Sequence, residues 1–186
     1  MLNNSIKSRT IKNLGRGLFS KSSPSYLILY VNNICQLRCD MCFYWDAMQK
    51  KTKQLSLDEI TKLSKSLPNL LQLTLTGGEP SLRKDITEIP KIFSKYSNLS
   101  KCTMVTNGML HERIREQVNT FVNENKDVDF RISISMDGIG DLHDKIRGVK
   151  GSFLNAEKTL SLLFKIRDHV PNLWIDVATT ISKYNY

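Results

Sequence analysis

No stretch of this chain approaches the roughly 18 consecutive apolar residues that a membrane-spanning helix requires, so a helical span is excluded. The N-terminus also lacks the continuous apolar segment of a secretory signal. No acid occurs in residues 1–23, no cysteine follows Cys102, and no internal repeat is present. What remains is ordinary: 186 residues, 40% hydrophobic and 24% charged, enough for one globular domain with a buried core. That composition excludes collagen, extended disorder and a disulfide-dense mini-protein. Lys and Arg number 27 against 18 acids, a net charge of +9, which raises the question of a polyanionic partner. Five of those charges, Lys7, Arg9, Lys12, Arg16 and Lys21, fall in residues 1–23, so the excess belongs partly to the tail. We therefore divide the chain into a basic N-terminal arm, residues 1–23, and one core, residues 24–186. A single amphipathic helix or a transit peptide is the other reading of the arm.

Three of the four cysteines, Cys35, Cys39 and Cys42, lie within eight residues. That crowding suits a metal centre better than disulfides, and thiols that must stay reduced point to the cytoplasm. A structural zinc site needs four ligands, usually as two pairs. Here no second pair exists, so zinc would need a distant histidine such as His111 or His143. Three cysteines on a [4Fe–4S] cubane would leave one iron without a protein ligand, and an open position marks a reactive site.

The remaining pattern is regular. Strands are predicted at Tyr26–Asn32, Leu71–Thr76, Lys101–Thr106, Phe130–Met136 and Leu173–Thr180. Ser56-Leu57-Asp58-Glu59 is a capping box opening a helix that buries Leu57, Ile60, Leu63 and Leu67. Further helices are predicted at Lys84–Tyr96, Leu110–Asn125 and Ser152–Asp168. Strand–helix alternation means an α/β fold with parallel strands. Fully buried parallel strands read as unbroken apolar runs, yet these alternate: Leu71, Leu73 and Leu75 oppose Gln72, Thr74 and Thr76. Ile132 and Ile134 likewise oppose Arg131, Ser133 and Ser135, and Ile175 and Val177 oppose Trp174 and Asp176. A polar inner face suggests a splayed, partial (β/α) barrel around a ligand cavity. Tyr186 follows the fifth strand closely, so a C-terminally truncated unit is expected.

Cys35-Gln-Leu-Arg-Cys39-Asp-Met-Cys42 after the first strand resembles the CxxxCxxC signature of radical S-adenosylmethionine (SAM) enzymes. Gly77-Gly78-Glu79-Pro80, after the second strand, resembles the family's GGEP motif. Ser135-Met-Asp137-Gly138 with His143-Asp144 and Arg147-Gly148 resembles the SxDG…HDxxRG stretch of one branch. That branch includes peptide-modifying maturases and the molybdenum-cofactor cyclase type. The match runs over residues 26–180, and all three motifs fall at strand carboxyl ends, where parallel α/β folds gather ligands.

The resemblance implies a partial parallel barrel with five of six expected strands. It implies a [4Fe–4S] cluster on Cys35, Cys39 and Cys42, with SAM chelating the fourth iron. The Gly77–Gly78 backbone and Glu79 would receive the methionyl ammonium, Ser135 the ribose hydroxyls and Arg147 the methionyl carboxylate. Met41 takes the position near the adenine. Asn107, in Thr106-Asn107-Gly108, matches a common pattern and is a further cofactor-binding candidate, although a turn alone also explains it. Asp137, His143 and Asp144 shape their loop, and Phe43, Tyr44 and Trp45 cover the cluster or pack. Cys102 reads as a core thiol. One electron from a flavodoxin- or ferredoxin-like donor would cleave SAM to methionine and a 5′-deoxyadenosyl radical, which abstracts hydrogen from substrate. A peptide or protein substrate is favoured over carbohydrate, nucleotide-derived or lipid ones. Two alternatives stand beside this. A metal-stabilised basic nucleic-acid-binding domain leaves Gly77-Gly78-Glu79-Pro80 unexplained and lacks an aromatic–basic stacking surface. A truncated, non-catalytic partner protein that binds a leader peptide is the other.

Overall fold

The computed structural model describes residues 24–48, 50, 53–97 and 99–186, with Ile11. The basic arm at 1–23, Ile11 apart, lies outside the described residues, as does part of the polar stretch at 49–54. The strands are β1 (Tyr26–Asn32), β2 (Gln72–Gly77), β3 (Lys101–Thr106), β4 (Asp129–Ser135) and β5 (Leu173–Ala178). The helices are α1 (Trp45–Met48), α2 (Leu57–Ser66), α3 (Glu88–Ser97), α4 (His111–Glu124), α5 (Asp141–Arg147) and α6 (Ser152–Arg167). The strands form one open sheet in the order β1-β2-β3-β4-β5, and every neighbouring pair is parallel. This is the expected α/β arrangement of a partial barrel.

Alternation divides the sheet into two unlike faces. Leu29, Val31, Leu73, Leu75, Met104, Ile132 and Ile134 are buried with Ile60, Ile89, Phe93, Ile114, Val118 and Leu163 from the helices. Each such side chain contributes about 1.5–3 kcal/mol when fully buried. Cys102 is fully buried in this layer, and burial pushes its thiol pKa up. The opposite face carries Thr74, Thr103, Arg131, Trp174, Ser133 and Asp176 in register. β1 departs from the polar rule, since Tyr26, Ile28 and Tyr30 stand exposed on that face.

The capping box forms as the sequence predicts. Glu59 N–H donates to Ser56 Oγ at 3.2 Å, and Ser56 N–H donates to Glu59 Oε2 at 2.8 Å. The helix expected from Lys84 begins instead at Glu88. Pro90 has no N–H to give to a carbonyl four residues back, so it is tolerated only in a first turn. Ahead of it, Arg83 is anchored to Val31 O at 2.9 Å, to Leu55 O at 2.7 Å and to Asp85 Oδ1 at 2.7 Å. Those bonds keep 83–87 out of the helix. A second difference is α5, which Gly138 and Gly140 conceal in the sequence. It ends at Gly148 in the left-handed conformation, φ 72°, a common helix terminus. Asp144 then accepts the Ser152 hydroxyl and Phe153 N–H, both at 2.8 Å, and Gly151 N–H. Burial opposes the Asp144 charge, but the Phe153 and Gly151 amides and the Ser152 hydroxyl outweigh it and lower its pKa. One carboxylate thereby caps α6, whose own Gly151 supplies no capping side chain.

Candidate functional site

The cysteine loop leaves β1 at Asn32 and is pinned on two sides. On the β2 side, Gly78 N–H donates to Asn32 O at 3.1 Å and Glu79 N–H to Ile34 O at 2.7 Å. Buried Asn32 adds its Nδ2 to Glu79 O at 2.8 Å and accepts Ile34 N–H at 3.2 Å. A methyl group on Gly77 would lie 2.4 Å from Asn32 O, and one on Gly78 2.2 Å from Ile34 O. The two glycines therefore bring β2 against the cysteine loop itself. On the α5 side, Arg38 N–H donates to Arg147 O at 3.1 Å and Asp40 N–H to Ile146 O at 3.0 Å. Gly148 makes this contact feasible, since a Cβ there would sit 2.5 Å from Arg38 O.

Between these anchors lie the three thiols, all half-buried. Cys35 Sγ accepts Leu37 N–H at 3.4 Å and Asn107 Nδ2 at 3.7 Å. Cys39 Sγ accepts Arg147 Nη1 at 3.7 Å. Burial raises the pKa of both thiols; Arg147 works against it at Cys39. A bound metal reverses that balance and takes the thiolate.

Glu79 is 1% exposed, and its carboxylate does not face the thiols as a free acceptor. Oε1 accepts Ser81 N–H at 3.0 Å and the Thr106 hydroxyl at 2.6 Å, and Oε2 accepts Asn107 N–H at 2.8 Å. Through these three bonds Glu79 joins the ends of β2 and β3. Asn107 is correspondingly more than a turn residue. Its Oδ1 accepts Met109 N–H at 3.0 Å and Gln36 Nε2 at 3.4 Å, while Nδ2 reaches Cys35.

Arg147 also has internal partners. Nη2 lies 2.6 Å from Asp137 Oδ2, a charge contact outside good hydrogen-bond alignment, and Nε is buried with no partner among the described residues. Asp137 Oδ1 accepts Thr180 N–H at 2.9 Å, and its carbonyl accepts Asn185 Nδ2 at 2.9 Å. His143 is fully buried, and its Nδ1 accepts Asp137 N–H at 3.1 Å. Burial, then Arg147, lowers the His143 pKa and keeps the ring neutral. Asp137, His143 and Asp144 therefore shape this region, as the sequence suggests. Ser135 is half-exposed at the end of β4, opposite Ala178, and Met41 is half-exposed in the loop. Tyr44 packs on Tyr30 with ring centroids 4.9 Å apart, and Trp45 lies under Arg38 at 5.1 Å. Phe43 is 86% exposed. Arg83 and the α5 clamp have no isolated motif in the sequence; only the charge of Arg83 beside Asp85 hints at the first.

Three half-buried thiols, two of them met by N–H donors, form a donor set whose chemistry suits a cluster. A cubane accepts three separated thiolates and benefits from N–H donors to sulfur, which Asn107 and Arg147 supply.

Comparison with known proteins agrees with this geometry. The Radical SAM superfamily profile matches residues 29–185. The GTP 3',8-cyclase of Mannheimia succiniciproducens is 30% identical over 164 residues, covering 80% of this chain and 48% of the cyclase. The GTP 3',8-cyclase of Haemophilus ducreyi is 36% identical over 93 residues, covering 48% of this chain and 27% of that protein. The chain thus spans half or less of the length of these relatives. Among solved structures, anSMEcpe with bound AdoMet has a TM-score of 0.65 at 23% identity, covering 83% of this chain and 42% of that one. Streptococcus suis SuiB bound to precursor peptide SuiA has a TM-score of 0.62 at 19% identity, covering 99% of this chain and 40% of SuiB. These two likenesses establish the fold. Profile, cyclase relatives and fold agree, and this chain belongs to the Radical SAM superfamily.

Proposed function

We propose that this chain is an enzyme that holds a [4Fe–4S] cluster on Cys35, Cys39 and Cys42 and binds SAM beside it. The observation that carries this reading is the cysteine loop, clamped by Gly78 and Gly148 so that three half-buried thiols stand at the carboxyl ends of parallel strands. When bound, the cluster and SAM supply one-electron cleavage of a sulfonium bond, giving methionine and a 5′-deoxyadenosyl radical that takes hydrogen from substrate.

The protein's part is to bind, orient and exclude water. With SAM bound, the backbone at Gly77 and Gly78 would receive the ammonium, Ser135 the ribose hydroxyls, and Met41 would lie near the adenine. Glu79 would meet the same ammonium while also fixing Asn107. Arg147 keeps its Nε–H for the methionyl carboxylate. The electron comes from a flavodoxin- or ferredoxin-like donor, and the setting is the cytoplasm. No described helix is long and apolar enough to cross a membrane.

The substrate reading is a peptide or protein, supported by the SxDG…HDxxRG segment. The cyclase relatives favour a second reading, a nucleotide. Anaerobic incubation of the reconstituted chain with dithionite and SAM is expected to release methionine and 5′-deoxyadenosine in equal amounts. A loaded chain that binds SAM and releases neither would overturn the enzyme reading in favour of a partner protein. Deuterium moving into 5′-deoxyadenosine from a labelled peptide, or from labelled GTP, decides between the substrates.

A further inference from the structure

We propose that Arg147 is a positioning residue whose guanidinium, held by Asp137, donates to the Cys39 sulfur and sets the reduction potential of the cluster. The inference rests on the cluster reading above. Its warrant is the placement of two side chains that the fold brings to one thiol from a distance. Arg147 sits at the last position of α5, 108 residues beyond Cys39. Its Nη1 lies 3.7 Å from Cys39 Sγ while Nη2 lies 2.6 Å from Asp137 Oδ2. The Asp137 side chain is fully buried and that of Arg147 is 11% exposed, so solvent screens this contact little. The backbone supports the same geometry, because Arg147 O accepts Arg38 N–H at 3.1 Å next to Cys39.

Asp137 is fixed from three directions. Thr180 N–H holds Oδ1 at 2.9 Å, Asn185 Nδ2 holds its carbonyl at 2.9 Å, and its own N–H is given to His143 Nδ1 at 3.1 Å. The carboxylate therefore acts as a fixed strut for the guanidinium. On the far side of the loop, Asn107 Nδ2 at 3.7 Å gives Cys35 a neutral donor. Cys39 alone of the three thiols has a charged donor among the described residues.

One-electron reduction places one more negative charge on the cluster and its sulfurs. A guanidinium N–H aimed at a ligating sulfur stabilises the reduced form more than the oxidised one, which raises the potential. Removing the guanidinium must make reduction harder. Removing the Asp137 charge while leaving Arg147 in place must make it easier, because the cation is no longer neutralised. A purely structural latch predicts no such opposition of sign.

The test is an anaerobic redox titration of the reconstituted full chain against dithionite-poised mediators, read by electron paramagnetic resonance. Wild type is compared with Arg147→Gln, Arg147→Lys and Asp137→Asn, each with iron counted. Arg147→Gln is expected to keep its iron and to show a reduced-to-oxidised ratio about tenfold lower at fixed poise, about 59 mV for one electron. Arg147→Lys should restore part of the loss, and Asp137→Asn should shift the ratio upward. If Arg147→Gln fails to load, the other two variants decide by the same signs. No shift in any loaded variant, shifts of the same sign in Arg147→Gln and Asp137→Asn, or loss of iron in all three would overturn the proposal. A wild-type chain that takes up no iron would instead overturn the cluster reading on which it stands.

Discussion

Gly78→Ala is expected to unfold the chain at markedly lower temperature and to abolish iron loading. Gly78 needs no left-handed backbone, so the obstacle is steric. The added methyl would lie 2.2, 2.5 and 2.8 Å from O, C and N of Ile34. All three are backbone atoms, so no side chain can swing away. Overpacking of this kind costs about 3 kcal/mol, which at 2–4 °C per kcal/mol is a fall of about 6–12 °C in Tm. The loop that must yield carries the first cysteine, so cluster assembly fails along with stability. Gly151→Ala is the control: its Cβ would meet nothing within 4 Å, and only the left-handed φ of 82° is strained, a cost of about 1–2 kcal/mol. Calorimetry and iron counts on both variants check the contrast. Equal losses in the two would contradict the close-approach account.

Glu79→Ala should be similarly damaging by a different route. It leaves Ser81 N–H, the Thr106 hydroxyl and Asn107 N–H without their acceptor in a buried site. An unsatisfied buried donor costs about 1–3 kcal/mol, so the total is expected to reach about 3 kcal/mol or more. The same carboxylate gives a pH signature. Burial raises its pKa above the usual carboxylate range, against the pull of Asn107 N–H and the Ser81 and Thr106 donors. The folded chain therefore holds this proton more tightly than the unfolded one. Stability from the site is full below the ordinary carboxylate pKa and is lost as pH rises through the raised value. Urea denaturation over a series of rising pH should show a decline in wild type that Glu79→Gln lacks. A wild-type profile matching that of Glu79→Gln would contradict the assignment.

Much of this architecture is readable in the sequence because its causes are local. Alternating Leu73 and Leu75 with Thr74 and Thr76 fixes which face of β2 meets the helices, and Ser56 with Glu59 starts α2 where expected. The cysteine spacing likewise indicates a loop at the end of β1. The direction in which Glu79 and Arg147 point is not local. Each is set by groups distant in the chain: Thr106 and Asn107 for the first, Asp137 and Cys39 for the second. Both motifs read as ligand contacts in isolation, yet both side chains are largely occupied within the protein. Gly77 and Gly78 illustrate the same limit. Their need for small size is evident, but the close neighbour is Asn32 and Ile34 of the cysteine loop, which only folding brings there.

The most direct test is anaerobic reconstitution of the full chain beside a Cys35→Ala/Cys39→Ala/Cys42→Ala variant, with iron and sulfide counted. The reduced electron paramagnetic resonance spectrum is then recorded with and without SAM. About four irons and four sulfides per chain are expected, none in the variant, and a spectrum that changes when SAM binds. Zinc in place of iron, or a cluster whose spectrum is indifferent to SAM, would contradict it.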